Sequence, residues 1–533
     1  MAEIAHKLKF DPATAPTHST WVPPSWITQS NKPIPTRKVD LVNGLGGPWD
    51  PMHPSINGID LTKPDPRLKI PDIQIKEPAN AASSVIAFTN VNILDSTGTP
   101  PYRGDILIKG NRIAKVGGKL NAVELRGARV FEGRGRTLMS GLGDAHTHFS
   151  WTNSPSLDGL SDMPVEEHTL FSAKSARTFL DCGYTMCREY LIPSLGGPEL
   201  KSSISIDILQ PPVGAASAKT RLDLVIKKAI QAGDIPGPRF LANGKEMAPQ
   251  AGALIGGITR FVESKEDIEE AVRELADMGV DQCKFSMSGE EITEHLRAED
   301  TTFPDELVAA GVEAAHARGM RVCSHARSDE AILQCLQYGV DIIYHASFIS
   351  DATMDALEVQ KDRVFVAPAI NWLVATLRDA EGYGYPVSKA EAVGYARELE
   401  IAVAGLKEMH KRGIKILPGG DYGFSWTPHG TYRDLEHFVD LLGMTPMQAI
   451  RSATAYGGEL MLHPEELGKV QPGAYADLIL VDGNPLEDIG VLSKREKMDV
   501  IIMNGRVHKA DEGPGKAGAG RTGFVGWLFS FFR

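Results

Sequence analysis

Between about Leu142 and Leu460, short apolar runs alternate with helix-like stretches, and that alternation confines the chain to a parallel α/β sheet or barrel. The strand candidates are Gly143 to Phe149, Thr185 to Glu189, Arg239 to Asn243, Gln282 to Met287, Arg321 to Ala326, Ile342 to Ser347, Val364 to Ala369 and Lys415 to Gly420. Eight such units over roughly 300 residues are what a (β/α)8 TIM barrel requires, and in that fold catalytic groups gather where the strands end. Helix starts are well marked. Ser264 to Asp267 opens Ile268 to Met278 as a capping-box variant, and Asp305 to Arg318 follows Pro304.

The flanks read differently. Short β-runs joined by turns occupy 85–89, 91–95, 105–108 and 112–116, and the same pattern returns at 476–482 and 499–507. Residues 84–141 and 461–510 are therefore expected to form one small composite β-sandwich domain, with 142–460 as the barrel. Residues 1–83 form an extended, Pro-rich arm carrying Trp21, Trp26 and Trp49. Residues 511–533 form a flexible tail ending in the apolar stretch 523–533. Large apolar side chains on such segments predict docking onto a neighbouring subunit, hence a homo-oligomer.

Composition removes several classes of function. A net charge of -12 without a basic run leaves no footprint for nucleic acid. No stretch of 18 apolar residues offers a membrane span, and Met1 to Phe10 lacks a signal-like apolar core, so a cytoplasmic protein is expected. The five cysteines, Cys182, Cys187, Cys283, Cys323 and Cys335, form no Cys-x-x-Cys pair and read as buried thiols.

Chemistry concentrates at the strand ends. His146 and His148, two apart in Asp144-Ala-His-Thr-His-Phe149, share one face of a strand and can reach one cation. Alone, the pair is equally compatible with plain strand alternation. Lys284 on the fourth strand, His325 on the fifth, His345 on the sixth and Asp421 after the eighth bring the set to six at one end of the barrel. Arg188 and Arg327 offer a fork for a substrate carboxylate, or else form structural ion pairs under the loops. Trp151, Trp372, Tyr383, Tyr385, Phe424 and Trp426 fall on strand-end loops, where they either face an aromatic substrate half or pack the loops.

Several motifs follow in order: 141–149 around the two histidines, Cys283-Lys-Phe-Ser-Met-Ser-Gly289, Ser324-His-Ala326, Tyr344-His-Ala-Ser347, Gly419-Gly-Asp421, Pro428-His-Gly430, and the closing run 474–486. Matched motif by motif, residues 84 to 510 resemble the amidohydrolase superfamily. Within it they resemble the branch of imidazolonepropionase-like enzymes, Xaa-Pro dipeptidases and ochratoxin-hydrolysing amidases. The resemblance implies two divalent metal ions, with Zn²⁺ expected: His146, His148 and Asp421 hold one, His325 and His345 the other, and Lys284 bridges both. An ammonium cannot ligate a cation, so the resemblance also implies a carbamylated Lys284. Asp421, Lys284 and His345 are the expected catalytic groups. His429, Arg188, Arg327 and Tyr344 are the expected substrate contacts.

Departures from the family pattern cluster in the pocket wall. Tyr344 stands where relatives carry a glutamate, Gly420 where they carry a threonine and Ser328 where a glycine often lies. Gln250-Ala-Gly252 occupies the region of a missing Gly-His. Lys284 together with Ser328 speaks against a mononuclear deaminase. The expected function is a metal-dependent amidohydrolase cleaving an amide bond of a small N-acyl amino acid or aryl amide. The alternatives are a urea or carbamate hydrolase and, from another class, a non-catalytic oligomeric scaffold of the same fold.

Overall fold

The computed structural model describes residues 54–77, 84–187, 221–252, 254–293 and 295–511, with Ala218 and the backbone of Val42–Asn43 and Gly47–Pro48. Its centre is a seven-stranded parallel sheet. In spatial order the strands are Thr259–Phe261, Glu246–Ala248, Gln282–Ser286, Arg321–Ala326, Ile342–His345, Phe365–Ala367 and Lys415–Ile416. Leu142–Asp144 and Tyr184–Cys187 make a separate parallel pair. Single parallel bridges, Met186 to Arg239 and Thr147 to Tyr422, lie between these pieces, and Ala145 N donates to Pro418 O at 2.8 Å. The fold is thus α/β, and the assigned strands form open sheets.

Both faces of the central strands are covered, which explains why the strands read as continuous apolar runs rather than alternating ones. Cys283, Phe285, Val322, Ile343 and Val366 are wholly buried. The intervening helices turn one stripe inward. Lys265–Met278 buries Ile268, Ala271, Val272 and Leu275 at the three- and four-residue spacing of one helix face. Ser264 caps it in a full capping box with Asp267, as the sequence predicts. The helix after Pro304 runs Asp305–His316.

Two strands differ from expectation: Thr259–Phe261, at the edge of the central sheet, was not among the candidates, and the third candidate is displaced. Arg239 to Asn243 was the third candidate, but the assigned strand is Glu246–Ala248. Arg239 keeps extended hydrogen bonding to its neighbour, with Cys187 N donating to Arg239 O at 2.7 Å and Arg239 N to Thr185 O at 2.9 Å. The run then breaks at Gly244, whose φ of 80° lies in the left-handed region, and resumes two residues later.

The flanking runs join in one eight-stranded sheet. Its order is Arg506–Ala510, Met498–Met503, Leu478–Val481, Thr137–Ser140, Val85–Leu94, Tyr102–Lys109 and Arg112–Val116, with Arg129–Glu132 beside Val85–Leu94. Thr137–Ser140 pairs antiparallel with Leu478–Val481, so strands from both flanks meet at the middle of the sheet. Phe88, Ile93, Ile106, Ile108, Leu138, Leu480 and Ile502 form its core. Arg239 ties this sheet to the central one. Its Nε donates to Asp477 Oδ2 at 2.6 Å, its Nη2 to Asn504 Oδ1 at 2.7 Å and its Nη1 to Ile73 O at 2.6 Å, while its guanidinium stacks 4.0 Å from the Tyr475 ring centroid.

The described part of the arm, residues 54–77, lies along its own chain. Lys69 N donates to Gly319 O, Lys76 N to Gln231 O and Arg363 Nε to Leu61 O. Asp65 reaches His316 Nδ1 at 3.1 Å, and the other ring nitrogen of His316 meets Asp341 at 3.0 Å. Trp21, Trp26, Trp49 and the apolar tail lie outside the described residues. All five cysteines are buried and none forms a disulfide. Among the described residues no helix is long and apolar enough to cross a membrane.

Candidate metal centre

Five of the six expected ligands end or follow strands of the central sheet and its neighbouring pair, and all six are buried. Leu142–Asp144 delivers His146 and His148. Asp144 sets their approach by accepting from His146 N at 2.8 Å. His146 Nε2 and His148 Nε2 are 3.3 Å apart, and Asp421 Oδ1 lies 3.4 Å from the first and 2.8 Å from the second. One donor atom from each of the three falls within 4.8 Å of the others. Two imidazoles and a carboxylate at that spacing suit a divalent cation.

The second half of the set is arranged similarly. The rings of His325 and His345 meet edge to face with centroids 4.4 Å apart, and His345 lies 5.3 Å from His146. His325 Nε2 donates to Gly289 O at 3.0 Å, which leaves Nδ1 as the nitrogen a cation can take. Both ring nitrogens of His345 are buried without a hydrogen-bond partner, as is His146 Nδ1. Buried polar atoms are rarely left so, and a cation in this cluster supplies the missing partner. Lys284, buried between the two halves, holds Nζ 4.3 Å from the Tyr344 ring centroid.

Electrostatics favour neutral imidazoles around one carboxylate. Burial drives His146, His325 and His345 far below the usual histidine range, assisted by Lys284 near all three and by Arg327 near His325 and His345. For Asp421, burial works to raise the pKa, but His146, His148 and Lys284 overcome it and hold the group ionised. Metal binding needs these same protonation states. His345 and Asp421 also sit at positive φ, 69° and 57°, a strained conformation for residues with side chains.

Above the donors lies a pocket with about 520 Å³ of free space, lined on its apolar side by Trp151, Leu254, Ile255, Ile292, Trp372 and Phe424. Trp151 stacks on His148 with centroids 3.8 Å apart. Trp426 and Tyr385 form a second layer behind Trp372, whereas Tyr383 is half exposed. Three of the six expected aromatics thus line the pocket.

The expected substrate contacts fare differently. Tyr344 is buried beneath the site, its ring parallel to His146 at 3.8 Å; it packs against that imidazole and does not line the pocket. Arg327 is wholly buried with its fork taken by Glu290 and by Glu398 Oε1, the latter at 2.5 Å, which is the ion-pair alternative. His429 lies behind Trp151, with Nε2 3.2 Å from Trp151 O and the ring among Phe171 and Phe179, outside the pocket lining. Arg188 lies outside the described residues.

Two acidic pocket residues were absent from the sequence reading. Glu246 comes from the strand that was misplaced, and accepts from Thr259 Oγ1 at 3.1 Å. Glu290 follows the fourth-strand motif directly, so its place beside Gly289 was the available signal. Burial pushes both carboxyls up to about 7. The departures also find reasons. A Cβ on Gly420 would come within 2.3 Å of the Tyr422 ring and 2.7 Å of Asp434, because Tyr422 fills that space and donates to Asp434 Oδ2 at 2.6 Å. Ser328 caps the helix Asp329–Tyr338, accepting from Ala331 N at 3.3 Å.

The amidohydrolase family profile matches residues 137–508. Ochratoxinase from Aspergillus niger is 25% identical over 437 residues, 79% of this chain and 86% of that protein. Among solved structures, a prolidase complexed with N-methylphosphonate-L-proline superposes with a TM-score of 0.68 at 24% identity, over 80% of this chain and 100% of that one. Phenylurea hydrolase B superposes with a TM-score of 0.59 at 19% identity, over 80% and 96% of the two chains. At these identities the structural likeness speaks for the fold alone.

Proposed function

This chain belongs to the amidohydrolase family and is a hydrolase of carbon–nitrogen bonds, and on that premise we propose that it cleaves the amide bond of a small substrate with an aromatic half. The observation that carries this reading is the juxtaposition of the buried His146, His148 and Asp421 group, with His325 and Lys284 lining the same pocket, and a wall of Trp151, Trp372 and Phe424. His146, His148 and Asp421 would hold one divalent cation, with zinc expected, and His325 and His345 a second. Lys284 would bridge them as a carbamate: its neutral Nζ bonds the carbon of CO₂ and loses a proton, leaving an anionic carboxylate on the nitrogen. When bound, the cations acidify water and polarise a carbonyl.

The chain's own groups divide the remaining work. Asp421, kept ionised by its neighbours, accepts the proton of the attacking water and delivers it to the leaving nitrogen. Trp151 and Phe424 exclude bulk water, and Tyr344 fixes the ring plane of His146. The same reading takes the parallel strands as a (β/α)8 barrel, which the single bridges at Arg239 and Tyr422 support, and takes 84–141 and 461–510, joined in one eight-stranded sheet, as its composite β-domain. A second reading, an aryl urea or carbamate hydrolase, is favoured by one feature: among the described lining residues Lys284 is the one lysine or arginine, and the carbamate would occupy it, so a substrate carboxylate finds no dedicated partner.

Metal content per chain, measured by elemental analysis on the wild type and Lys284→Ala, tests the proposal alongside turnover of N-acyl amino acids, anilides and phenylureas. Near two equivalents, falling with the substitution together with activity, is the expected result. One metal or none, with Lys284→Ala still active, would overturn the bridged site. A chain that binds little metal and ignores chelators would be a scaffold.

A further inference from the structure

The charged residues facing the pocket, Lys284 apart, are acidic: Glu246, Glu290 and Asp421. Asp421 is engaged with His146 and His148, while Glu246 and Glu290 stand outside the proposed ligand set. Glu290 is held with care. Its Oε1 accepts from Tyr395 Oη at 2.7 Å and its Oε2 pairs with Arg327, so the carboxylate cannot swing away from the pocket. Arg327 is shared. The same guanidinium meets Glu398, which also accepts from Ser347 Oγ at 2.6 Å. One positive charge therefore faces two buried carboxylates, and when both are ionised the trio carries one net negative charge at the pocket wall.

Burying such a charge is expensive unless a cation completes it. A substrate amine placed between the aromatic wall and Glu290 would supply that cation, and Trp151 and Trp372 line the same pocket. We propose that Glu290, oriented by Arg327 and Tyr395 and assisted by Glu246, is a specificity-determining residue that selects substrates bearing a protonated amino group near the scissile amide and disfavours those bearing a free carboxylate. This rests on the amide-hydrolase reading above and narrows its substrate class to aminoacyl amides with an aromatic part.

The test uses the metal-loaded enzyme at about pH 7, where an α-amino group is still mostly protonated. Three 4-nitroanilides of phenylalanine differ only at the amine: free and cationic, N-acetylated and neutral, or N-succinylated and anionic. The cationic compound should exceed the anionic one in kcat/KM by about tenfold or more, and Glu290→Gln should erase most of that ratio. Tyr395→Phe, which keeps the charge, should retain the preference. An unchanged ratio in Glu290→Gln, with melting temperature preserved, would overturn the proposal, and so would a preference for the anionic compound. Should Glu290→Gln fold poorly, Glu246→Gln is expected to lower the same ratio, and no change there counts against the pair.

Binding keeps the two readings apart. By calorimetry, L-phenylalaninol should bind more tightly than its N-acetyl derivative, and the difference should vanish in Glu290→Gln even if no anilide is hydrolysed. Equal binding of the two to the wild type would sink the selectivity while leaving the hydrolase reading to its own test.

Discussion

His345 and Asp421 occupy left-handed backbone positions, each costing on the order of 1 kcal/mol or more, and such strain persists only where the surroundings over-determine it. Around Asp421 the constraint is visible. Gly419 packs against the first histidine strand so closely that a Cβ would lie 2.7 Å from His146 N and 2.8 Å from His146 Cβ. Neither neighbour is the far end of a flexible side chain. Gly419→Ala is therefore expected to lower stability by about 2 kcal/mol and to reduce metal content. Denaturant unfolding and elemental analysis check both, and a wild-type metal content would mean that His146 tolerates the shift. The six expected ligands could be picked out of the sequence because placement at or near strand ends repeats. Glu398, partner of Arg327, was not, because it lies 71 residues away and nothing in the sequence announces the pairing.

At the scale of elements, the alternation of apolar runs and capped helices located seven of the eight expected central strands. It misplaced the third because a glycine turn splits one extended run, and the run's first part bonds with its backbone without being a regular strand. Arg239 sits in that part. Its charge read as ordinary in the sequence, yet it is buried and joins the central sheet to the flanking sheet through Asp477 and Asn504. Removing it strands the Asp477 carboxylate. Arg239→Ala is expected to cost about 3 to 5 kcal/mol, as for a broken buried ion pair, and to lower the melting temperature. A loss below about 1 kcal/mol would mean that the stacking on Tyr475 and the backbone bonds hold the two sheets without it.

For the whole molecule, the described arm residues fasten across the far end of the helices, and His316 is the clasp between Asp65 and Asp341. Burial opposes its protonation, but the two carboxylates prevail and raise it to about 9 from 6.5, while Asp341 and Asp65 are both lowered. A folded value above the unfolded one means stability that is complete below 6.5 and fades as pH climbs through about 9. The contribution is on the order of 3 kcal/mol. His316→Asn should flatten that decline in unfolding free energy between about pH 6.5 and 9.5, whereas a wild-type decline in the variant would place its source elsewhere. The flanking sheet has a temporal consequence. Thr137–Ser140 waits for Leu478–Val481, roughly 340 residues downstream, and at a synthesis rate of about 5–20 residues per second that is tens of seconds. During translation Thr137–Ser140 therefore has a bare edge, open to pairing with other strands, until the last strands arrive.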